Sequence, residues 1–192
     1  MDIQVPHTVI MDGILVTEIA ETDPRGLPWG KVVQIAICKV DTETGFYETV
    51  LSESIKEDPL DLGKKSLDHL SDTYGINAET LYMGSEVDDV VDRVIDAVAG
   101  AECISFNMST FGAYLCYEPW NLNGLVTLYP SMSRFLPAPA VALEDENVDP
   151  LRKAYDIMCP GDIAGVGEGK GAFERAQMSA SVLSALIRAG LF

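Results

Sequence analysis

The chain has 192 residues, 47% of them apolar, enough for one domain with a sizeable core and against global disorder. Thirteen lysines and arginines face thirty aspartates and glutamates, a formal charge of −17. Non-specific nucleic-acid binding needs a basic face and polybasic membrane attachment needs a basic segment, so this composition argues against both.

Residues 1–192 are expected to form a single domain, with 1–12 as an N-terminal arm. Met1-Asp2-Ile3-Gln4 has neither the basic region nor the apolar run of a secretory signal, and no stretch approaches about 18 uninterrupted apolar residues. Cys38, Cys103, Cys116 and Cys159 lie far apart without a C-x-x-C pair, and His7 and His69 are the only histidines. The expectation is therefore four reduced thiols in a cytoplasmic protein, with no metal site. The acidity is uneven: residues 41–100 hold 15 acidic and 4 basic side chains.

In chain order, Ile14 to Ile19 is β-branched and apolar and predicts a strand that ends at Glu21-Thr22-Asp23-Pro24. Lys31 to Val40 predicts a second strand. Asp41-Thr42-Glu43-Thr44-Gly45 has turn chemistry, and Phe46 to Leu51 returns with the alternation of a half-buried strand. These three make an antiparallel meander. Val87, Val90, Val91, Val94, Ile95 and Val98 form one helical stripe, opposite Asp88, Asp89, Asp92, Arg93 and Asp96, with Ser85 as N-cap and Gly100 as stop. Much of the acidity is thus the solvated face of this helix. Ala101 to Phe106 predicts a fourth strand, and Ser109 to Tyr117 a short helix closed by Pro119. Asp149-Pro150 is an N-cap followed by proline at N1, opening a helix with Leu151, Ala154, Tyr155 and Met158 inward. A glycine-rich loop over 161–171 precedes a last helix from about Ala172 to Arg188, with Phe173, Ala176, Ala180, Leu183 and Ile187 inward. The order β-β-β-α-β-α-(β)-α-α implies an α/β fold, a mixed sheet with helices on its faces.

Five segments, in order, resemble a known pattern. They are Ile14 to Thr22; Val33-Gln34-Ile35-Ala36 with the turn 41–45; Tyr74 to Leu81; Phe106 to Leu115; and Lys170 to Ala176. Together they are similar to the motifs of DnaQ-type (DEDD) 3′–5′ exonucleases over roughly Ile14 to Leu186. The resemblance implies an RNase H-like sheet, a three-stranded antiparallel meander plus parallel strands, flanked by helices. It also implies a cleft in which four carboxylates hold two divalent ions, Mg²⁺ or Mn²⁺, beside a histidine base.

The chain departs from that pattern at the residues that carry the chemistry. The first carboxylate position holds Glu18, but its partner is Ala20, the second-motif acid is Phe111, the histidine is Lys170 and the last acid is Arg175. A guanidinium about 4 Å from a divalent ion repels it by roughly 8 kcal/mol at an effective dielectric of 20. Arg175 therefore opposes metal occupancy. Glu21, an odd number of residues from Glu18, is expected to face away from it on a continuing strand. The expected replacement for the metal site is an ion pair of Glu18 with Arg175 or Lys170.

Three functions are consistent with these residues. The first is a catalytically degenerate exonuclease-fold protein, without cofactor, serving as a binding or scaffolding subunit with a protein partner or in a homo-oligomer. The second is a metal-dependent 3′–5′ exonuclease, a phosphodiester hydrolase, acting on DNA or RNA through a rearranged site; the charge does not favour nucleic acid. The third is a nucleotide or small phosphate-ligand binder, using Lys170 and Arg175 in the vestigial cleft. Segment 125–143 is apolar and broken by Pro130, Pro137 and Pro139. It reads either as a cover for the sheet or as a partner surface anchored by Trp120, Leu128, Tyr129, Met132 and Phe135. The 165–171 loop lacks the glycine and the Ser/Thr of a phosphate loop and reads as a surface loop. His69, between acidic residues on a short helical stretch, reads as a surface histidine.

Overall fold

The computed structural model describes residues 13–142, 148–161 and 170–192. The arm 1–12, with His7, and most of the glycine-rich loop lie outside the described residues. A five-stranded sheet organises the chain, in the order β3-β2-β1-β4-β5. Strands β1 (Ile14–Glu21), β2 (Val32–Val40) and β3 (Tyr47–Ser54) form the antiparallel meander. The short strands β4 (Glu102–Ile104) and β5 (Thr127–Leu128) run parallel to β1. Every residue of β1 is buried, because helices cover both faces of the central strand.

The helices are α1 (Lys64–Tyr74), α2 (Ala78–Tyr82), α3 (Val87–Val98), α4 (Met108–Tyr114), α5 (Pro150–Met158) and α6 (Ala172–Arg188). Leu70 and Tyr74 of α1, Leu151 and Ala154 of α5 and Ala176, Ala180 and Leu183 of α6 pack with Val16, Ala20, Ala36 and Cys38 in one core cluster. Val90, Val94 and Val98 of α3 and Phe111 and Tyr114 of α4 pack with Leu15, Ile19, Ile35 and Ile37 in a second. The alternation along β1 and β2 feeds these two cores, even-numbered β1 residues into one and odd into the other.

Several expectations shift. Helices α1 and α2 stand between β3 and α3, where the sequence reading placed only a short helical stretch around His69. Polar side chains fill most of α1, so its apolar stripe is short; Gly75, at φ 66°, ends it in the left-handed conformation. The N-cap of α3 is Glu86 rather than Ser85, and Val87 at its first turn is 37% exposed. Phe173, expected inward, is also turned out, 41% exposed. The start of α5 follows expectation: Asp149 accepts a hydrogen bond from the Leu151 amide at 3.0 Å, with Pro150 at N1. All four cysteines are free. Burial pushes the Cys38 thiol up to about 11 and the Cys103 thiol up to about 12, which keeps both protonated. No described helix is long and apolar enough to cross a membrane.

Residues 125–142 contain β5 and two 3-10 turns, Met132–Phe135 and Ala138–Ala140. Trp120 and Met132, expected as surface anchors, are core residues at 3% and 0% exposure. Tyr129 and Phe135 are half-buried and stack on Phe192, with ring centroids 5.3 and 4.9 Å away. Of the five expected anchors, only Leu128 is an exposed side chain. Met132 belongs to the first core cluster and Tyr129, Phe135 and Leu136 pack against it, because apolar residues without a regular ladder gain most by packing on an existing core.

Candidate functional site

The amino-terminal part of β1 runs beside β4 in parallel register, Leu15 opposite Cys103 and Val16 opposite Ile104. Beyond them the chains separate and leave a cleft of about 90 Å³, lined by Thr17, Glu18, Tyr74, Phe106, Phe111 and Arg175 among others. Such crevices beyond the strand ends are where α/β sheets place their ligands.

Glu18 lies at the base. Its Oε1 accepts from the Phe106 amide at 2.9 Å, the Ser179 hydroxyl at 2.8 Å and the Ser105 hydroxyl at 3.4 Å. One carboxylate oxygen thus ties β1 to the loop after β4 and to α6. Burial raises the Glu18 carboxyl above its ordinary range, against the opposing pull of the Arg175 charge and of these donors. Ala20, two residues on, is fully buried beside α6. Phe111, on α4, closes the other wall with its ring in the second core.

Arg175 faces the cleft from α6, but its guanidinium pairs with Asp149, the N-cap of α5. No ion pair joins Glu18 to Arg175 or Lys170 within 4.0 Å, so the expected direct pair is replaced by a longer-range attraction from Arg175. Asp149 is the more exposed of the two carboxylates, its side chain 39% exposed where Glu18 is buried. Lys170 lines a neighbouring groove with Gln34, Tyr74 and Glu174, and its amide donates to Glu174 at 2.9 Å.

Glu21 corrects another expectation. It does not face away from Glu18: Tyr74, which lines the same cleft, donates its hydroxyl to one Glu21 oxygen, and His69 Nε2 lies 3.4 Å from the other. The register of β1 against β2 shifts between Ala20 and Glu21, which breaks the alternation that the parity argument assumed. Burial raises the Glu21 carboxyl, opposed by Tyr74 and His69. His69 is accordingly a half-buried partner of a carboxylate rather than a surface histidine; its Nδ1 lies 3.2 Å from the Thr73 hydroxyl. Asp23, past the end of β1, is held by Arg25 through Nε at 2.9 Å and Nη2 at 2.7 Å. Gly30 allows the backbone at Asp23 to approach Tyr114, whose hydroxyl donates to the Asp23 carbonyl; a Cβ there would collide with both.

The sequence reading missed Thr17 and Tyr74 as cleft residues. Thr17 Oγ1 is the one buried side-chain N or O atom among the described residues without a hydrogen-bond partner. A polar residue inside the otherwise apolar run 14–16 and 19–20 was the available signal.

The residues present do not fit the pair of divalent ions that the fold implies. One oxygen of the cleft's lone expected carboxylate already takes three donors, Phe111 presents carbon, and Arg175 adds a positive charge. Among the described residues no group of three His, Cys, Asp or Glu side chains is arranged to hold a metal ion.

A mixed sheet of this order, flanked by helices and opening at the β1–β4 crevice, is an RNase H-like α/β fold. More narrowly, it is the DnaQ-like 3′-exonuclease fold. The chain is similar to a full-length 3′-exonuclease at 13% identity, covering 93% of this chain and 83% of that one, with a TM-score of 0.62. It is similar to cell-death related nuclease 4 at 14% identity, covering 94% and 65%, with a TM-score of 0.66. The nuclease domain of 3′hExo, a DEDDh family member bound to rAMP, matches at 12% identity over 93% of both chains, with a TM-score of 0.54. No family model and no curated protein matches the sequence.

Proposed function

We propose that this chain is an exonuclease-fold protein that does not hydrolyse phosphodiesters and acts as a binding or scaffolding subunit, in the cytoplasm. The observation that carries this reading is the composition of the cleft. Two-metal hydrolysis needs several carboxylates with free oxygens to fix the ions and the attacking water. Here Ala20, Phe111 and Arg175 stand at three of the expected acid positions, and Glu18 Oε1 is committed to Phe106, Ser105 and Ser179. The test is degradation of 3′-labelled single-stranded DNA and RNA with Mg²⁺ and with Mn²⁺. The expected result is no shortening, and no difference between the wild type and Glu18→Ala. Shortening that Glu18→Ala abolishes would establish the metal-dependent exonuclease instead.

One observation favours a second reading, a nucleotide or small phosphate ligand in the cleft. Thr17 Oγ1 is buried without a partner in a space that Arg175 also faces. Under that reading a mononucleotide raises the thermal midpoint and Arg175→Ala removes the shift.

A further inference from the structure

We propose that the groove between the β2–β3 turn, the end of α5 and the last turns of α6 binds a small amphipathic monocarboxylate, an aromatic or branched aliphatic body carrying one carboxylate. The groove is separate from the cleft: 13 residues of α6, about 20 Å at the helical rise, lie between Arg175 and the groove's Arg188.

The turn builds the groove. Asp41 Oδ1 accepts the Glu43 and Thr44 amides, each at 2.8 Å, and Gly45, at φ 70°, brings the chain back against α6. Ser184 donates its hydroxyl to the Gly45 carbonyl, and a Cβ on Gly45 would lie 2.8 Å from that hydroxyl oxygen. The turn is thereby held on the helix, and Phe46 beside it is left 75% exposed. A space of about 680 Å³ opens among Phe46, Met158, Pro160 and Arg188, against about 90 Å³ for the cleft. Volumes of that order hold small molecules.

The lining selects an anion with an apolar body. Arg188 is the one charged side chain among the described residues that line the groove. The negative end of α6 favours a cation there, yet Arg188 is exposed and makes no ion pair or hydrogen bond through its side chain. Ser181, buried on α6, donates to the Tyr47 hydroxyl at 3.2 Å. The hydrogen of the Tyr47 hydroxyl is therefore left without an acceptor among the described residues, at the groove wall. A guanidinium fork and a phenol donor match one carboxylate. Phe46, Met158 and Pro160 match a ring or a branched chain beside it. A phosphomonoester would bring nearly two charges to a single cation, on a chain of −17. A metal ion would find no carboxylate or imidazole in this lining.

The test titrates the full chain at neutral pH with 3-phenylpropanoate, 3-phenylpropanol, acetate and phenyl phosphate, read by ligand-observed NMR. 3-Phenylpropanoate is expected to bind about tenfold tighter than the alcohol, which lacks the charge, and than acetate, which lacks the body. Arg188→Gln, on an exposed side chain, is expected to erase the preference for the acid over the alcohol. Arg188→Lys is expected to keep part of it, since the charge remains without the fork. Tyr47→Phe keeps the ring and is expected to weaken the acid severalfold, a second readout at another element of the groove. Equal binding of acid and alcohol, acid binding unaffected by Arg188→Gln, or no binding up to about 10 mM overturns the proposal. So does tighter binding of phenyl phosphate than of the acid, which would assign the groove to a phosphate ligand. The nuclease and mononucleotide assays read the cleft, so failure here leaves the reading of the cleft standing.

Discussion

Arg175 gives its guanidinium to Asp149 rather than to Glu18, although both Glu18 and Arg175 line the same cleft. Asp149 therefore has two partners, the Leu151 amide at the start of α5 and the α6 arginine, and it joins the two helices. Asp149→Ala removes both contacts and is expected to cost about 1–2 kcal/mol. Asp149→Asn keeps an acceptor for the cap and is expected to cost less. Chemical denaturation of the two variants separates the cap from the ion pair; equal losses would mean that the cap contributes nothing, and no loss in Asp149→Asn would mean that the pair contributes nothing.

Glu18 predicts a pH dependence. Its carboxyl is raised in the folded state, so the folded chain holds that proton more tightly than the unfolded chain. The stability linked to it is fully present below the ordinary glutamate range and is lost as pH rises through the folded value. Glu18→Gln keeps an acceptor for Phe106, Ser105 and Ser179 and carries no charge. It is expected to match or exceed the wild-type thermal midpoint at pH 8 and to flatten the slope between pH 5 and pH 8. Glu18→Ala leaves three buried donors without an acceptor and is expected to cost about 3 kcal/mol or more.

Tyr74 is the buried donor to Glu21, and burial beside that carboxylate raises its own hydroxyl. Tyr74→Phe takes away the donor and is expected to destabilise by about 1–2 kcal/mol at pH 8. The loss is expected to shrink toward pH 5, where a protonated Glu21 needs the donor less. A loss independent of pH would show that ring packing, not the hydrogen bond, was removed.

The C-terminal ring covers what would otherwise be an apolar face. Deleting Phe192 exposes Tyr129 and Phe135 and is expected to raise binding of a hydrophobic dye and to promote self-association. Trp120→Ala, by contrast, cuts into the core and is expected to cost about 3–5 kcal/mol without changing the association state. Sedimentation and denaturation together distinguish the two.

Much of the architecture follows from local pattern. The β-branched runs at 14–19 and 31–40, the valine stripe of α3 and the Asp149-Pro150 start of α5 each announce their element, because backbone period and cap chemistry are local properties. The five ordered motifs likewise pointed to the DnaQ-like fold that the solved structures share. That positions 20, 111 and 175 hold Ala, Phe and Arg was visible directly, since residue identity needs no coordinates.

Partner choice was not local. That Arg175 answers Asp149, that Glu21 turns to Tyr74 and His69 across a register shift, and that Trp120 and Met132 lie inside depended on which elements meet in space. Burial and ion pairing are set by neighbours distant in the chain; Glu18 and Ser179 are 161 residues apart. Even the charge of −17 took its meaning from folding: most of it is solvated surface, and at the cleft what matters is one carboxylate tied by its neighbours and an arginine turned toward another helix.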